Sequence, residues 1–175
     1  TASGWSARKL FTKAPNGDTT AFTPGNAAKF STALNAGASA ASLVQYTLGD
    51  PSLEGTAWRK RENGLLGTII NSGVQPILPP QRKPAACNYA DSNIMVRKNF
   101  YVTASNAGVL HVLNQDGQEV MGYIPSTALS KLYSLSLPVP SHTQPTHQYL
   151  NDGTPVTDEV CFGSTAKSIV VGTAG

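Results

Sequence analysis

The sequence predicts a mainly β protein, with antiparallel sheets preceded by short helices. Residues 100–123 alternate short apolar and β-branched runs with turn residues, and Ala-rich stretches with helical spacing lie near the N-terminus. Charged residues make up only 13% of the 175 residues. Such a composition, with abundant Gly, Pro, Ser and Thr, is typical of a loop-rich β protein or a secreted surface protein rather than a helical cytosolic enzyme.

Residues 100–123 predict a meander of two or three short strands. The runs FYV at 100–102 and VLHVL at 109–113 are strand-like, and residues 105–108 and 114–117 stand where hairpin turns belong. Asp116-Gly117 is the stronger turn signal, because both residue types tolerate the positive φ of a tight turn.

Residues 1–50 predict an N-terminal segment with two short helices. An Asn-Gly pair at 16 and 17 marks a turn, and Trp5 and Phe22 are expected to anchor a core. Apolar residues recur at helical spacing over 26–34 and again from residue 40 to Gly49, which ends the second helix.

Residues 51–175 are predicted to contain the sheets. Prolines restrict residues 74–80 to a sheet edge or a polyproline-like course, because proline lacks the amide that a ladder requires. Residues 79–99 predict a long surface excursion. The other predicted elements are a buried strand at 65–72, a helix at 125–133, a strand at 148–150 and a final strand at 168–171.

Two cysteines, Cys87 and Cys161, are far apart and belong to no C-x-x-C pair or metal-ligating cluster. They are either buried free thiols or a single disulfide that closes a long loop. An oxidising compartment would favour the disulfide, with a stabilisation of about 2–4 kcal/mol.

The distribution of charge argues against a nucleic-acid partner, and the length of the apolar runs argues against a membrane span. The net charge is +3, and the basic residues form scattered short pairs, whereas a nucleic-acid binder concentrates them on one face. No apolar run approaches the ~20 residues of a membrane span. The sequence therefore predicts no nucleic-acid partner and no membrane span.

No motif predicts catalysis, a cofactor or a metal. His111 alternates with apolar neighbours and is interpreted as a structural strand histidine, while His142 and His147 lie five apart without nearby acidic residues. There is no G-x-S-x-G elbow, no phosphate-binding glycine loop and no calcium loop.

Five short motifs follow one another in a fixed order. They are an R-x-R pair followed by LGTIINS, a YV run followed by GVLH, then GYIPS, H-x-Y-x-x-DGTP and IVVG. In this order they resemble the propeller region of the pilus-tip adhesin and assembly family of type IV pili, called PilC or PilY. The motif residues carried over, as structural residues, are Arg59, Arg61, Gly67, Asn71, Ser72, Tyr101, Gly108, His111, Tyr123, Pro125, Asp152, Gly153 and Pro155.

This resemblance implies a β-propeller of several four-stranded blades. A blade needs ~40 residues, so residues 51–175 would supply only the first blades, and the remainder of the polypeptide or a partner chain would complete the ring. The calcium loop of the family is not matched, so no cofactor is carried over. Thr68 stands where the family has Asp, and Val74 where it has Pro.

The resemblance also implies a non-enzymatic surface protein, part of a tip-associated factor for pilus biogenesis and adhesion. Its expected partners are pilins, minor pilins or host surface ligands, and its expected location is the cell surface, the periplasm or the medium. Two alternatives are a fragment of a quinoprotein-like propeller oxidoreductase and a small β structural subunit of a surface filament. An open edge after the last strand favours a part of something larger.

Overall fold

The computed structural model describes residues 4–61, 64–80, 87, 89, 95–138 and 147–173. Within these residues, eight strands form two sheets, and three α-helices pack beside the larger sheet. The helices are α1 (Ala27–Leu34), α2 (Ala40–Leu48) and α3 (Ser126–Ser136). The strands are β1 (Leu10–Lys13), β2 (Thr19–Ala21), β3 (Gln75–Ile77), β4 (Phe100–Ser105), β5 (Val109–Asn114), β6 (Glu119–Ile124), β7 (Val156–Phe162) and β8 (Thr165–Val171).

The predicted mainly β fold with short helices is confirmed. The larger sheet has the order β2-β1-β6-β5-β4-β3, and β3 to β6 form an antiparallel meander. Its turns lie where the sequence predicts them, since the Gly108 amide donates to Ser105 and the Gly117 amide donates to Asn114. The pairing of β1 with β6 is parallel, which the sequence did not predict.

The N-terminal residues share the core of the larger sheet. Strands β1 and β2 form a hairpin, and the two predicted helices occur as α1 and α2. Phe22 and Phe30 stack with ring centroids 5.1 Å apart and are fully buried, and Trp5 packs at the margin of the same core. The division of the chain at residue 50 stays a prediction.

The predicted buried strand at 65–72 is wrong. Residues 64–73, called the 64–73 segment below, run irregularly beside the sheet, and Ile70 is 50% exposed. The reason is that their backbone groups bond outside a ladder: the Thr68 carbonyl accepts from the Asn106 amide, and the Leu66 carbonyl faces His111. Gly67 also has a positive φ of 75°, which interrupts an extended strand.

The predicted strand at 148–150 is also wrong, because the Leu150 amide donates to the Asn106 side chain instead of to another strand. The helix predicted at 125–133 is confirmed as α3, and the final strand at 168–171 is confirmed as part of β8. Of the excursion at 79–99, the structure describes residues 79, 80, 87, 89 and 95–99.

Strands β7 and β8 form the second sheet, a two-stranded antiparallel hairpin. It lies next to β3, where Thr157 Oγ1 donates to the Pro76 carbonyl at 2.9 Å. Among the described residues, no helix has the length and apolar character needed to cross a membrane.

Candidate functional site

His111 lies at the centre of a buried hydrogen-bond network, called the His111 network below. It projects from β5 and is fully buried. Its Nδ1 lies 2.6 Å from Oε1 of Glu119, and its Nε2 lies 2.8 Å from Ser105 Oγ and 3.0 Å from the Leu66 carbonyl oxygen. Arg8 pairs with the Glu119 carboxylate through Nε and Nη2. The network therefore joins β4, β5 and β6 to the 64–73 segment and to the chain before β1.

The network keeps Glu119 ionised. Burial by itself would raise the pKa of Glu119, but hydrogen bonds from His111 and Arg8, together with the charge of Arg8, lower it to about 2. The side chains of Arg8 and Glu119 are only 9% and 14% exposed. Removing either partner would leave the other charge buried without compensation.

Gly122 provides the space that this network needs. It lies directly opposite His111 in β6. A Cβ at this position would come within 2.6 Å of Leu10 Cδ2, 2.9 Å of Val109 Cγ1 and 3.4 Å of Glu119 Oε1. Because Gly122 has only a hydrogen in place of a side chain, the Glu119 carboxylate can reach the His111 imidazole diagonally across the pair of strands.

Ser105, His111 and Glu119 have the connectivity of a hydrolytic triad, with Oγ next to Nε2 and Nδ1 next to a carboxylate. However, Ser105 and His111 are both 0% exposed, and the Leu66 carbonyl shares Nε2 with the hydroxyl. A nucleophile must be reachable by its substrate. In this structure the three side chains therefore act as a structural connection between strands.

A second set of contacts, called the polar seam below, joins the 64–73 segment to residues 151–155. The Asp152 carboxylate accepts hydrogen bonds from the Asn71 amide and side chain and from Nδ2 of Asn106. Desolvation opposes ionisation, but these hydrogen bonds together hold the pKa of Asp152 below its usual value. Beside them, the Gly73 amide donates to Thr154 Oγ1 at 2.8 Å.

Ser72 and Gly67 attach the same segment to the end of β4. Ser72 is buried and accepts a 2.9 Å hydrogen bond from the Ala104 amide. Gly67 packs on the β4–β5 turn so closely that a Cβ would lie 2.5 Å from that of Ala107. Together with the His111 network and the polar seam, these contacts fix an irregular segment that has no strand pairing of its own.

Arg61 closes the C-terminal end of α2. Its Nη1 donates to the Tyr46 carbonyl at 2.6 Å, its Nη2 donates to the Asp50 carbonyl, and Nε pairs with Glu54 at 2.6 Å. The guanidinium also lies 4.1 Å from the centroid of the Tyr46 ring. Arg8 donates to the neighbouring Thr47 carbonyl. Two cations thus neutralise the negative end of the helix dipole.

The other motif residues lie in or next to the strands and helices of the main body. Arg59 donates its backbone amide to Ser136 at the end of α3, and the adjacent Trp58 packs between Tyr46 and Tyr133. The remaining motif residues lie in strands, in turns and next to a helix. Tyr101 is in β4, Gly108 is in the β4–β5 turn, Tyr123 is in β6, Pro125 precedes α3, and Gly153 and Pro155 lie before β7.

Cys87 and Cys161 are joined in a disulfide that links the 79–99 region to β7. His147 stacks edge-on against Tyr149 with centroids 4.6 Å apart. His142 lies outside the described residues. Within the described residues there is no group of three or more His, Cys, Asp or Glu side chains that could hold a metal ion.

Beside the polar contacts lies an exposed apolar surface. Six of the fourteen exposed large apolar side chains in the described residues fall within fourteen consecutive positions of the chain. We call this set the 65–78 apolar surface. Its members are Leu65, Leu66, Ile69, Ile70, Val74 and Leu78.

Sequence reasoning missed Arg8, Ser105, Asn106 and Glu119 as partners of the motif residues. Glu119 lies opposite Leu113, and so on the same sheet face as His111, only because the register shifts between Val112 and Leu113; a strict two-residue period counted back from Gly122 would not have placed it there. The partners contributed by Arg8 and Asn106 depend on long-range packing, which no local pattern reveals.

The comparisons with known proteins relate the chain to pilus proteins. It is 30% identical over 142 residues to the type IV pilus biogenesis factor PilY1 of Pseudomonas aeruginosa strain PAK, and 29% identical over 142 residues to PilY1 of strain PAO1. It is 29% identical over 153 residues to a PilY1 homolog of Xylella fastidiosa strain Temecula1. No protein-family model matches, and no solved structure matches significantly.

These alignments cover 74% and 76% of this chain but only 12% and 10% of the relatives. The chain therefore spans about one eighth of the length of the Pseudomonas proteins that it matches. Over that part, it is related to the PilY1 type of type IV pilus biogenesis factor.

Proposed function

We propose that the chain is a non-enzymatic part of a type IV pilus biogenesis factor at the cell surface, and that it acts in pilus assembly and adhesion through protein–protein contacts. The observation that carries this proposal is the 142-residue match to PilY1. Side chains of the His111 network and the polar seam hold the 64–73 segment against the sheet, and that segment carries four of the six residues of the 65–78 apolar surface.

The arrangement of the site favours binding over catalysis. The polar side chains that could do acid–base chemistry are buried and bonded to one another, whereas the side chains that face solvent beside them are apolar. Exposed apolar clusters on a folded frame are typical of protein-binding surfaces. Pilins or minor pilins are the proposed partners, and host surface ligands are a further class.

We propose that the sheets are part of a β-propeller, with β1 and β2 added to the six-stranded sheet beyond the four strands of a blade. The antiparallel strands β3 to β6 have the strand number of one blade, and the β7–β8 hairpin has half that number. We propose that further strands, from the same polypeptide or from a partner chain, complete the second sheet and close the ring.

Biolayer interferometry with purified major and minor pilins of the same bacterium tests the proposed role. The immobilised chain should bind at least one pilin, and Ile70→Lys should weaken that binding by about tenfold or more, because it places a charge in the apolar contact. Leu137→Lys, at an exposed site after α3, is the matched control and should bind like the wild type. Failure of the wild type to bind any pilin would contradict the proposal.

A further inference from the structure

Among the described strands, β7 and β8 pair only with each other, whereas the other six are hydrogen-bonded in one sheet. Among the described residues, the buried apolar core draws on β1, β5, β6 and the helices, but on no residue of β7 or β8. Strands β2, β3 and β4 also contribute no residue to the buried apolar core, but they are held by pairing within the six-stranded sheet. The hairpin therefore lacks the apolar anchorage that normally fixes a sheet in a domain.

Polar contacts supply part of its attachment. Arg97 bonds to Glu159 and Ser168 of the hairpin and to the Leu78 carbonyl, and Ser168 Oγ donates to Glu159 at 2.7 Å. Within the described part of the chain, Arg97 Nε and Glu159 Oε2 are buried without a hydrogen-bond partner. Because these two atoms have no hydrogen-bond partner, the attraction between Arg97 and Glu159 offsets little of the free energy that the two charges lose when they leave water.

The covalent attachment is the Cys87–Cys161 disulfide, which bridges a sequence separation of 74 residues. Both cysteines are half-buried, so the bond is within reach of a thiol in solution. The outer face of the hairpin carries the cross-strand pair Val156 and Val171, both exposed, and the exposed Phe162.

We propose that this disulfide is a redox-controlled clamp: reduction releases the β7–β8 hairpin as a unit, while the six-stranded sheet and its helices stay folded. A dithiol attacks one sulfur as a thiolate and forms a mixed disulfide, and it then closes its own disulfide as the second sulfur leaves. Cys87 and Cys161 take up two electrons and two protons and end as thiols. This inference does not depend on the pilus role.

Hydrogen–deuterium exchange of the whole chain, with and without a dithiol reductant, tests the clamp. Reduction should accelerate amide exchange in residues 156–171 by about tenfold or more, because the cross-link no longer restricts the conformational freedom of the opened hairpin. Amides of β4, β5 and β6 should stay within about twofold of the oxidised protein on the same argument of local opening.

The double variant Cys87→Ser/Cys161→Ser provides the control for the reagent. It should show the fast hairpin exchange without reductant and should not respond when reductant is added. Unchanged exchange in residues 156–171 after complete reduction would overturn the clamp. Equal acceleration throughout the six-stranded sheet would also overturn it, because the disulfide would then support the whole fold.

Discussion

His111 Nδ1 and Glu119 Oε1 are 2.6 Å apart, and this contact joins two neighbouring strands while Arg8 holds the other side of the carboxylate. The imidazole reaches across to the Leu66 carbonyl with its second nitrogen. A single buried side chain thus links the sheet to the segment that carries the exposed apolar residues.

Glu119→Gln should lower the free energy of unfolding by about 2–4 kcal/mol, because it leaves the buried Arg8 guanidinium without its counter-charge. Urea denaturation at neutral pH measures the change. Asp116→Asn, which removes a carboxylate from the exposed β5–β6 turn, is the matched control and should change stability by less than about 0.5 kcal/mol. Equal effects of the two substitutions would show that the ion pair is not a stabilising contact.

Stability should also depend on pH through Glu119. Its pKa is about 2 in the folded protein and 4.5 ordinarily, so the unfolded state binds the proton more readily. The contribution is fully present above pH 4.5, amounts to about 3 kcal/mol, and is lost as the pH falls towards 2. Denaturation curves of the wild type and Glu119→Gln should therefore converge between these values. Parallel pH profiles would contradict the assignment.

Gly67→Ala should be more destabilising than Gly117→Ala. Both glycines have nearly the same positive φ, 75° and 74°, so both variants incur the left-handed backbone cost of about 1–2 kcal/mol. Only Gly67 lies against a neighbour, Ala107, and this overpacking adds about 1–3 kcal/mol. Thermal unfolding of the two variants measures the difference, and identical losses would mean that the 64–73 segment does not pack on the turn.

Arg61→Lys should destabilise the protein by about 1–3 kcal/mol, because an ammonium cannot reproduce the fork of hydrogen bonds to Tyr46, Asp50 and Glu54. Lys60→Ala, at the exposed neighbouring position, is the control and should have little effect. Chemical denaturation followed by helical circular dichroism measures both. An Arg61→Lys variant as stable as the wild type would show that α2 does not depend on this cap.

The sequence predicted elements whose signals are local. The 105–108 and 114–117 turns, α1, α2 and α3 follow from turn chemistry and helical periodicity, and the structure places them as expected. The 65–72 stretch was misread because its apolar residues have strand-like composition, although their side chains partly face solvent. Its conformation is set by His111, Asn106 and Asp152, which come from distant positions. Pairing of β1 with β6 across more than 100 residues likewise has no local signal.

The most direct test measures how firmly the 64–73 segment is attached to the sheet. Two buried amides at the C-terminal end of β4 donate hydrogen bonds to this segment, so their exchange rates measure its opening. The Ala104 amide donates to Ser72 Oγ, and the Asn106 amide donates to the Thr68 carbonyl. Asp152→Ala removes the carboxylate that ties Asn71 to Asn106 in the polar seam, and Asp158→Ala removes an exposed carboxylate from β7 as the control.

Residue-resolved amide exchange of Ala104 and Asn106 by NMR makes this measurement. Asp152→Ala should accelerate both amides by about fivefold or more, because local opening of the 64–73 segment no longer has to break the hydrogen bonds of the Asp152 carboxylate, while the centre of β5 and the Asp158→Ala protein stay unchanged. Unchanged exchange at Ala104 and Asn106 in Asp152→Ala would contradict the conclusion that the motif residues hold this segment in place.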